Sequence, residues 1–336
     1  MAHFSILGAG SWGTALGIML AEQEEHTVRL WEFRPDAADT LSKERVNNEF
    51  LPGAAFPDNL EITSDLHHAL TDADAILFVV PAQVLRSVLE QINPEWIQGK
   101  MLIGAAKGIE KNTHLRMSEV VKDVLGDECF ANFLALSGPS HAEEVAKHIP
   151  TTVVIANPNI QLVEKAQKWF SCPVFRVYAS QDIVGVELCG SLKNIIALAT
   201  GICDGLGFGD NTRGALMTRG LHEMTRLGVA LGGKRETFAG LSGMGDMITT
   251  CTSKHSRNRF VGEQLGLGRS LDEILEEMTM VAEGVATTRA GYELAQNLNV
   301  ELPIVEKVHE ILFEGMDAKQ AVTELMTRSL KVEQHL

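Results

Sequence analysis

The run LCGSLKNIIALATG, residues 188–201, places Lys193 and Asn194 in the middle of an otherwise apolar or small-residue stretch. Burying an ammonium without a partner is costly, so this lysine needs a reason. At helical spacing Gly190 lies at i−3 and Ala197 at i+4, and such small neighbours leave room for a flat ring or a substrate beside the amine. An amine in a partly dry pocket titrates more readily and can serve as acid or base. A lysine whose stem packs while its head snorkels to water accounts for the same spacing. A second stretch, GLSGMGDMITTCTSKHSRNRFVG, gathers Lys254, Arg257 and Arg259 with no acid over residues 253–259. Ser256 and Asn258 add hydrogen-bonding groups, and Arg with Ser and Asn suits a phosphate, which takes several donors in a fixed fork. Asp246 sits upstream in a glycine-rich turn. A solvated basic loop is the alternative reading of this stretch.

The third stretch is ILGAGSWGTA, with Gly8-x-Gly10-x-x-Gly13 between a strand-like run and a helix-like one. In that context Gly8 permits the tight turn, Gly10 lets a pyrophosphate approach the backbone and Gly13 lets the helix pack on the strand. Backbone N–H groups around Ser11 and Trp12 would then hold the phosphates. The second strand ends at LWEFRP. Glu32 stands where an acid would bind the adenosine 2′-OH of NAD, and Arg34 where a guanidinium would meet a 2′-phosphate. Lys107 follows the apolar run MLIGAA, which in a parallel sheet puts it at the carboxyl edge where ligands bind. In SGPSHAEEVA, Pro139 fixes a turn and Ser140 can cap a helix.

These residues need a scaffold, and the periodicities supply one. HFSILGAG, HTVRLWEF, DADAILFVVP, KMLIGAAKG, NFLALSGPS, TTVVIAN and CPVFRV are strand-length apolar runs separated by helix-like sequence. That alternation implies an α/β domain with a doubly wound, mostly parallel sheet of Rossmann type over residues 1–180. From residue 181 to 336 the periods are helical, as in GALMTRGLHEMTRLGVAL and PIVEKVHEILF, and imply an all-α domain.

The bulk numbers narrow the function. Net charge is −15, spread along the chain, which argues against nucleic acid and anionic membrane as partners. Five cysteines without a C-x-x-C pair suggest free thiols in a reducing cytoplasm, and no histidine pattern suggests a metal. The start MAHFSILGAG lacks a basic region before an apolar core, so no signal peptide is expected. No apolar run approaching 18 residues is read from the sequence, so no membrane insertion is expected.

Taken together, GAGSWGTALG, FLPG, VVPAQ, AAKGIE, SGPSHAEEVA, the long CGSLKNIIALATGICDGLGFGDNTRGALMTRGLHEM, LSGMGDMITTCTS, SRNRFVG and VAEGVATT resemble the bacterial-type NAD(P)-dependent glycerol-3-phosphate dehydrogenases, over essentially the whole chain. The resemblance implies interconversion of sn-glycerol 3-phosphate and dihydroxyacetone phosphate by hydride transfer, with Lys193 as general acid and base. It further implies that Lys107 contacts substrate and cofactor and that Gly138 and Ser140 touch substrate. Asp246, Ser256, Arg257 and Asn258 would close the substrate site, with Arg257 also reaching the cofactor. Gly8, Gly10, Ser11, Trp12, Gly13, Phe33 and Arg34 would line the dinucleotide groove, bordered by Ala142, Val281 and Glu283.

Both NADP(H) and NAD(H) are expected as cofactors, with NADPH favoured through Arg34. The expected partner is a small phosphorylated substrate, with a homodimer left open, and the expected role is cytoplasmic supply of glycerol 3-phosphate for phospholipid synthesis. Rival readings are a ketopantoate-reductase-like or 6-phosphogluconate-like dehydrogenase and a non-catalytic dinucleotide sensor. The SRN cluster argues against the first pair, and the joint presence of Lys193, Lys107 and Asp246 against the sensor.

Overall fold

The computed structural model describes residues 2–278, 280–330 and 332–333. The chain divides into two compact units, Met1–Lys107 with Leu115–Ile183, and Gly108–His114 with Val184–Leu336. The strands are β1 (Ala2–Leu7), β2 (His26–Trp31), β3 (Val46–Asn47), β4 (Leu51–Ala55), β5 (Leu60–Thr63), β6 (Ala75–Phe78), β7 (Met101–Gly104), β8 (Phe133–Ser137), β9 (Thr151–Ala156) and β10 (Phe175–Ser180). Eight of them form one sheet in the order β10-β9-β8-β7-β6-β1-β2-β5. All neighbours pair in parallel except β8 with β9, which run antiparallel.

Burial explains the order. β6 reads AILF and is buried at every position, as a central strand covered by helices on both faces must be. β10 alternates, with Phe175 and Val177 buried and Arg176 and Tyr178 exposed, the pattern of an edge strand. All seven strands read from the sequence are present. Two features do not stand out in the sequence: β5, whose LEIT carries a charge between apolar residues, and the small β3–β4 hairpin. The chain order doubles back at β1, so the turn after β1 and the end of β2 lie at the carboxyl ends of adjacent parallel strands, where doubly wound sheets bind ligands.

Among the described residues no strand follows Ser180. The second unit is built around α2 (Ile183–Gly205), α1 being Ser11–Ala21 of the first unit. By length and apolarity α2 could cross a bilayer, contrary to the expectation that no segment has that composition. Its apolar window, of mean hydropathy 1.5, is 89% buried, so it is a core helix of its unit. Around it lie α3 (Asp210–Ala230), α4 (Asp246–Thr252), α5 (Arg257–Gly266), α6 (Glu283–Leu298) and α7 (Pro303–Phe313).

α2 and α5 meet through their backbones. A Cβ on Gly201 would stand 2.0 Å from the Arg259 carbonyl oxygen, and one on Gly205 2.2 Å from that of Glu263. Reciprocally, a Cβ on Gly262 would stand 2.1 Å from the Leu198 carbonyl oxygen and one on Gly266 2.3 Å from that of Ile202. Any larger residue at these four positions would push the helices apart, and α5 begins with the residues of the SRN stretch.

Candidate active site

In the first unit the candidate groups are mostly backbone. Gly8 has φ +117°, and a Cβ there would approach the Val79 carbonyl oxygen to 2.8 Å, so the turn leaving β1 admits only glycine. A Cβ on Gly13 would fall 1.9 Å from the Gly8 carbonyl oxygen, which is how the first turn of α1 sits on the loop before it. A Cβ on Gly10 would meet nothing within 4 Å. Gly10 is the N-cap of α1 with no side-chain cap, and the first turn holds no acid. The arrangement therefore fits a pyrophosphate: open space beside Gly10 and the positive end of a helix whose first turn includes the N–H groups of Ser11 and Trp12.

At the end of β2, Glu32 is buried and Phe33 is 67% exposed. The Arg34 backbone N–H and Nε both donate to Glu32 Oε1, at 3.1 and 2.9 Å. The conflict between Glu32 and Arg34 in the sequence is thus an ion pair in the structure, and the carboxylate holds the Arg34 guanidinium firmly protonated. Lys107 Nζ donates to the Gly138 carbonyl at 3.0 Å, and Ser140 Oγ donates to the same oxygen at 2.9 Å. Gly138 has φ +137°, and a Cβ there would stand 2.9 Å from the Val153 α-carbon, so only glycine fits; through its carbonyl, Lys107, Gly138 and Ser140 form one local group. Ala142 opens the short helix that follows and is buried.

In the second unit the groups are side chains. Lys193 is only 5% exposed, so its head does not snorkel to water. Nζ donates to Asp246 Oδ1 at 2.7 Å and to Thr250 Oγ1. Asp246 and Thr250 lie four residues apart on one face of α4, and Thr250 Oγ1 also donates to the Asp246 carbonyl. A π-helical turn, Leu241–Gly245, precedes Asp246. A Cβ on Gly243 would fall 2.0 Å from the Phe238 carbonyl oxygen, so the GLSGMG run lets the chain coil tightly enough to bring Asp246 to Lys193. Next to Thr250, burial pushes the Cys251 thiol up to about 11, which keeps it protonated and unreactive at neutral pH.

Asn194, which follows Lys193 in the chain, pairs with Asn258. Asn258 Nδ2 donates to Asn194 Oδ1 at 2.9 Å, and the Gly284 N–H donates to Asn258 Oδ1 at 2.9 Å. Asn258 thereby ties α2, α5 and the start of α6 together. Ser256 caps α5, its Oγ accepting from the Arg259 N–H at 3.2 Å. The three cations of residues 253–259 have separate situations. Arg259 is bound to Asp204, which Arg213 also holds, so it is a structural member. Lys254 and Arg257 are exposed, Arg257 at the first turn of α5. Val281 is exposed, and Glu283 is the first residue of α6.

The structure thus brings Lys193 to Asp246, Asn258 to Asn194 and the Gly284 N–H, and, within the first unit, Lys107 and Ser140 to the Gly138 carbonyl. Thr250 joins Lys193 and Asp246, and Asn194 joins Asn258; neither stands out as a site residue in the sequence. The i+4 spacing of Thr250 from Asp246 was the available signal. For Asn194 it was its place beside a buried lysine.

Two family profiles match the chain: the NAD-dependent glycerol-3-phosphate dehydrogenase N-terminus over residues 3–163 and its C-terminus over residues 182–323. The glycerol-3-phosphate dehydrogenase (NAD(P)+) of Chlorobium limicola is 50% identical over 331 residues, covering 98% of this chain and 99% of that protein. The crystal structure of glycerol-3-phosphate dehydrogenase from Coxiella burnetii superposes with a TM-score of 0.91 at 42% identity, covering 97% of this chain and 99% of that one. A ketopantoate reductase from Ralstonia eutropha superposes at 0.60 with 16% identity, covering 95% and 99% of the two chains, and shares the fold alone.

Proposed function

Because the chain belongs to the NAD-dependent glycerol-3-phosphate dehydrogenase family, we propose that it interconverts sn-glycerol 3-phosphate and dihydroxyacetone phosphate, with Lys193 moving the proton. It is an NAD(P)-dependent dehydrogenase. The observation that carries the mechanistic reading is the buried contact of Lys193 with Asp246 and Thr250. A lysine whose head reached water would need no buried carboxylate, whereas here both charges are held out of water, where desolvating them is expensive.

In the direction of reduction the Lys193 ammonium donates its proton to the ketone oxygen as that oxygen gains charge. In oxidation the neutral amine takes the proton from the hydroxyl. Asp246 balances the ammonium and, with Thr250, fixes where Nζ points. When bound, the nicotinamide cofactor supplies or accepts the hydride. The Gly8–Gly13 turn and the start of α1 hold the pyrophosphate through backbone N–H groups. Arg257, exposed at the first turn of α5, anchors the substrate phosphate and so orients the carbon that reacts. Lys107, set by the Gly138 carbonyl, stabilises developing oxygen charge.

NADPH is the favoured cofactor in this reading, through Arg34. Reduction in the cytoplasm, supplying phospholipid synthesis, is the working direction, and a homodimer the working assembly. The deciding assay follows NADPH and NADH consumption with dihydroxyacetone phosphate, unphosphorylated dihydroxyacetone and ketopantoate. Turnover is expected chiefly with the phosphorylated ketone, weakly with unphosphorylated dihydroxyacetone and not with ketopantoate. Reduction of ketopantoate at a comparable rate would overturn the substrate assignment.

A further inference from the structure

The end of β2 carries two ion pairs in series. Glu32 Oε1 takes the backbone N–H and Nε of Arg34, and Arg34 Nη2 reaches on to Glu49 Oε2 at 3.3 Å. Glu49 lies in the turn between β3 and β4. That hairpin is pinned beside the glycine turn by Asn47, which is 1% exposed. Asn47 Nδ2 donates to the Ala9 carbonyl at 2.8 Å and to Thr14 Oγ1 at 2.9 Å, and its Oδ1 accepts the Phe50 N–H at 3.1 Å. The exposed Phe33 ring lies next to the Arg34 guanidinium, 5.7 Å from ring centroid to its carbon. A flat apolar surface, a cation and an acid therefore stand together at the strand end adjoining the phosphate-binding turn.

The two carboxylates differ in what they can give up. Glu32 is buried, and losing Arg34 would leave an uncompensated buried charge, a heavy penalty. Glu49 is half exposed, and water can replace the guanidinium there at little cost. We propose that Glu49 is a cofactor-specificity residue that acts through Arg34, weakening the preference for a 2′-phosphorylated dinucleotide. This rests on reading Arg34 as the residue beside the adenosine ribose. A 2′-phosphate must take Nη2 from Glu49, whereas an uncharged 2′-hydroxyl has no need of that exchange. Glu32 fixes where the guanidinium points, and Glu49 sets how much of it a phosphate can use.

The test is the ratio of kcat/KM for NADPH to that for NADH, measured at low and at high salt. The variants are Glu49→Gln, Arg34→Ala and the two together. Glu49→Gln is expected to raise the ratio about two- to fivefold, the scale of an exposed ion pair. The gain should shrink at high salt and vanish in the Arg34→Ala background. An unmoved or lowered ratio in Glu49→Gln, with Arg34→Ala still lowering it, overturns the role of Glu49 and leaves the reading of Arg34 standing. A ratio that Arg34→Ala does not move overturns both. A gain from Glu49→Gln that persists without Arg34 overturns the route through Arg34.

Discussion

The turn after β1 and the cluster around Lys193 solve opposite problems. The turn is made of backbone, with three glycines inside six residues and N–H groups at a helix start. The cluster is made of side chains, Lys193 with Asp246 and Thr250, and Asn194 with Asn258, joined across 53 to 64 positions of sequence. A backbone site is local, and its demands on residue type are steric and show in a short motif. A side-chain site needs distant elements held in register, so here the supporting parts lie elsewhere: the close glycine contacts of α2 with α5 and the π-turn before Asp246.

The largest effect that would break this contrast is at Lys193. Lys193→Met should lower kcat by about 10²–10⁴, the range for a lost general acid or base. Because it also leaves buried Asp246 without its counter-ion, the double variant Lys193→Met/Asp246→Asn supplies the folded control. If that variant melts cooperatively near wild type and still turns over at a near-normal rate, the cluster is scaffolding.

A second buried charge in the same unit sharpens the point. Glu223 Oε1 and Oε2 accept the backbone N–H groups of Ile304 and Val305 at the start of α7, and burial pushes the carboxyl up to about 7. Its folded-state value lies above its unfolded one, so its contribution to stability is greatest at acid pH. That contribution is lost as pH rises from about 4.5 through 7. Glu223→Gln keeps an acceptor for α7 and removes the charge. Thermal unfolding of variant and wild type at pH 5 and pH 8 should show the variant gaining at pH 8 relative to pH 5, by up to roughly 3 kcal/mol. A difference independent of pH would mean the carboxyl titrates normally.

Arg257 tests whether the second unit reads phosphate. Arg257→Ala should cost roughly 1.5–3 kcal/mol in kcat/KM for dihydroxyacetone phosphate, the worth of a charged hydrogen bond. The small activity on unphosphorylated dihydroxyacetone should change far less. Equal losses on both would move the phosphate away from α5.

The smallest effects separate two glycines of the turn. Gly13→Ala overpacks the Gly8 carbonyl and should cost about 1–3 kcal/mol of stability. Gly10→Ala meets no protein atom, so its melting temperature should stay close to wild type while NADPH binding, followed by fluorescence titration, weakens. A stable Gly10→Ala variant that binds NADPH as tightly as wild type would remove the phosphates from this turn.

The sequence by itself determined the sheet's main strands, the change to an all-helical second part, the glycine turn and the candidacy of Lys193, Asp246 and Asn258. Continuous apolar runs, period-3.6 patterns and glycine spacing are local properties, and local properties survive in a string of letters. β5 was lost because four residues with a charge among them look like a strand only once β2 offers its edge. The antiparallel pairing of β8 with β9 was equally invisible, since strand direction belongs to a pair. The backbone path at the end of β2 decided that Glu32 and Arg34, two residues apart, are partners rather than rivals, and tertiary packing alone decided that Arg259 serves Asp204, that Thr250 meets Lys193 and that Asn194 meets Asn258. Hydrogen bonds depend on distances of a few tenths of an ångström between elements, and those are fixed by helix packing that no single stretch of sequence records.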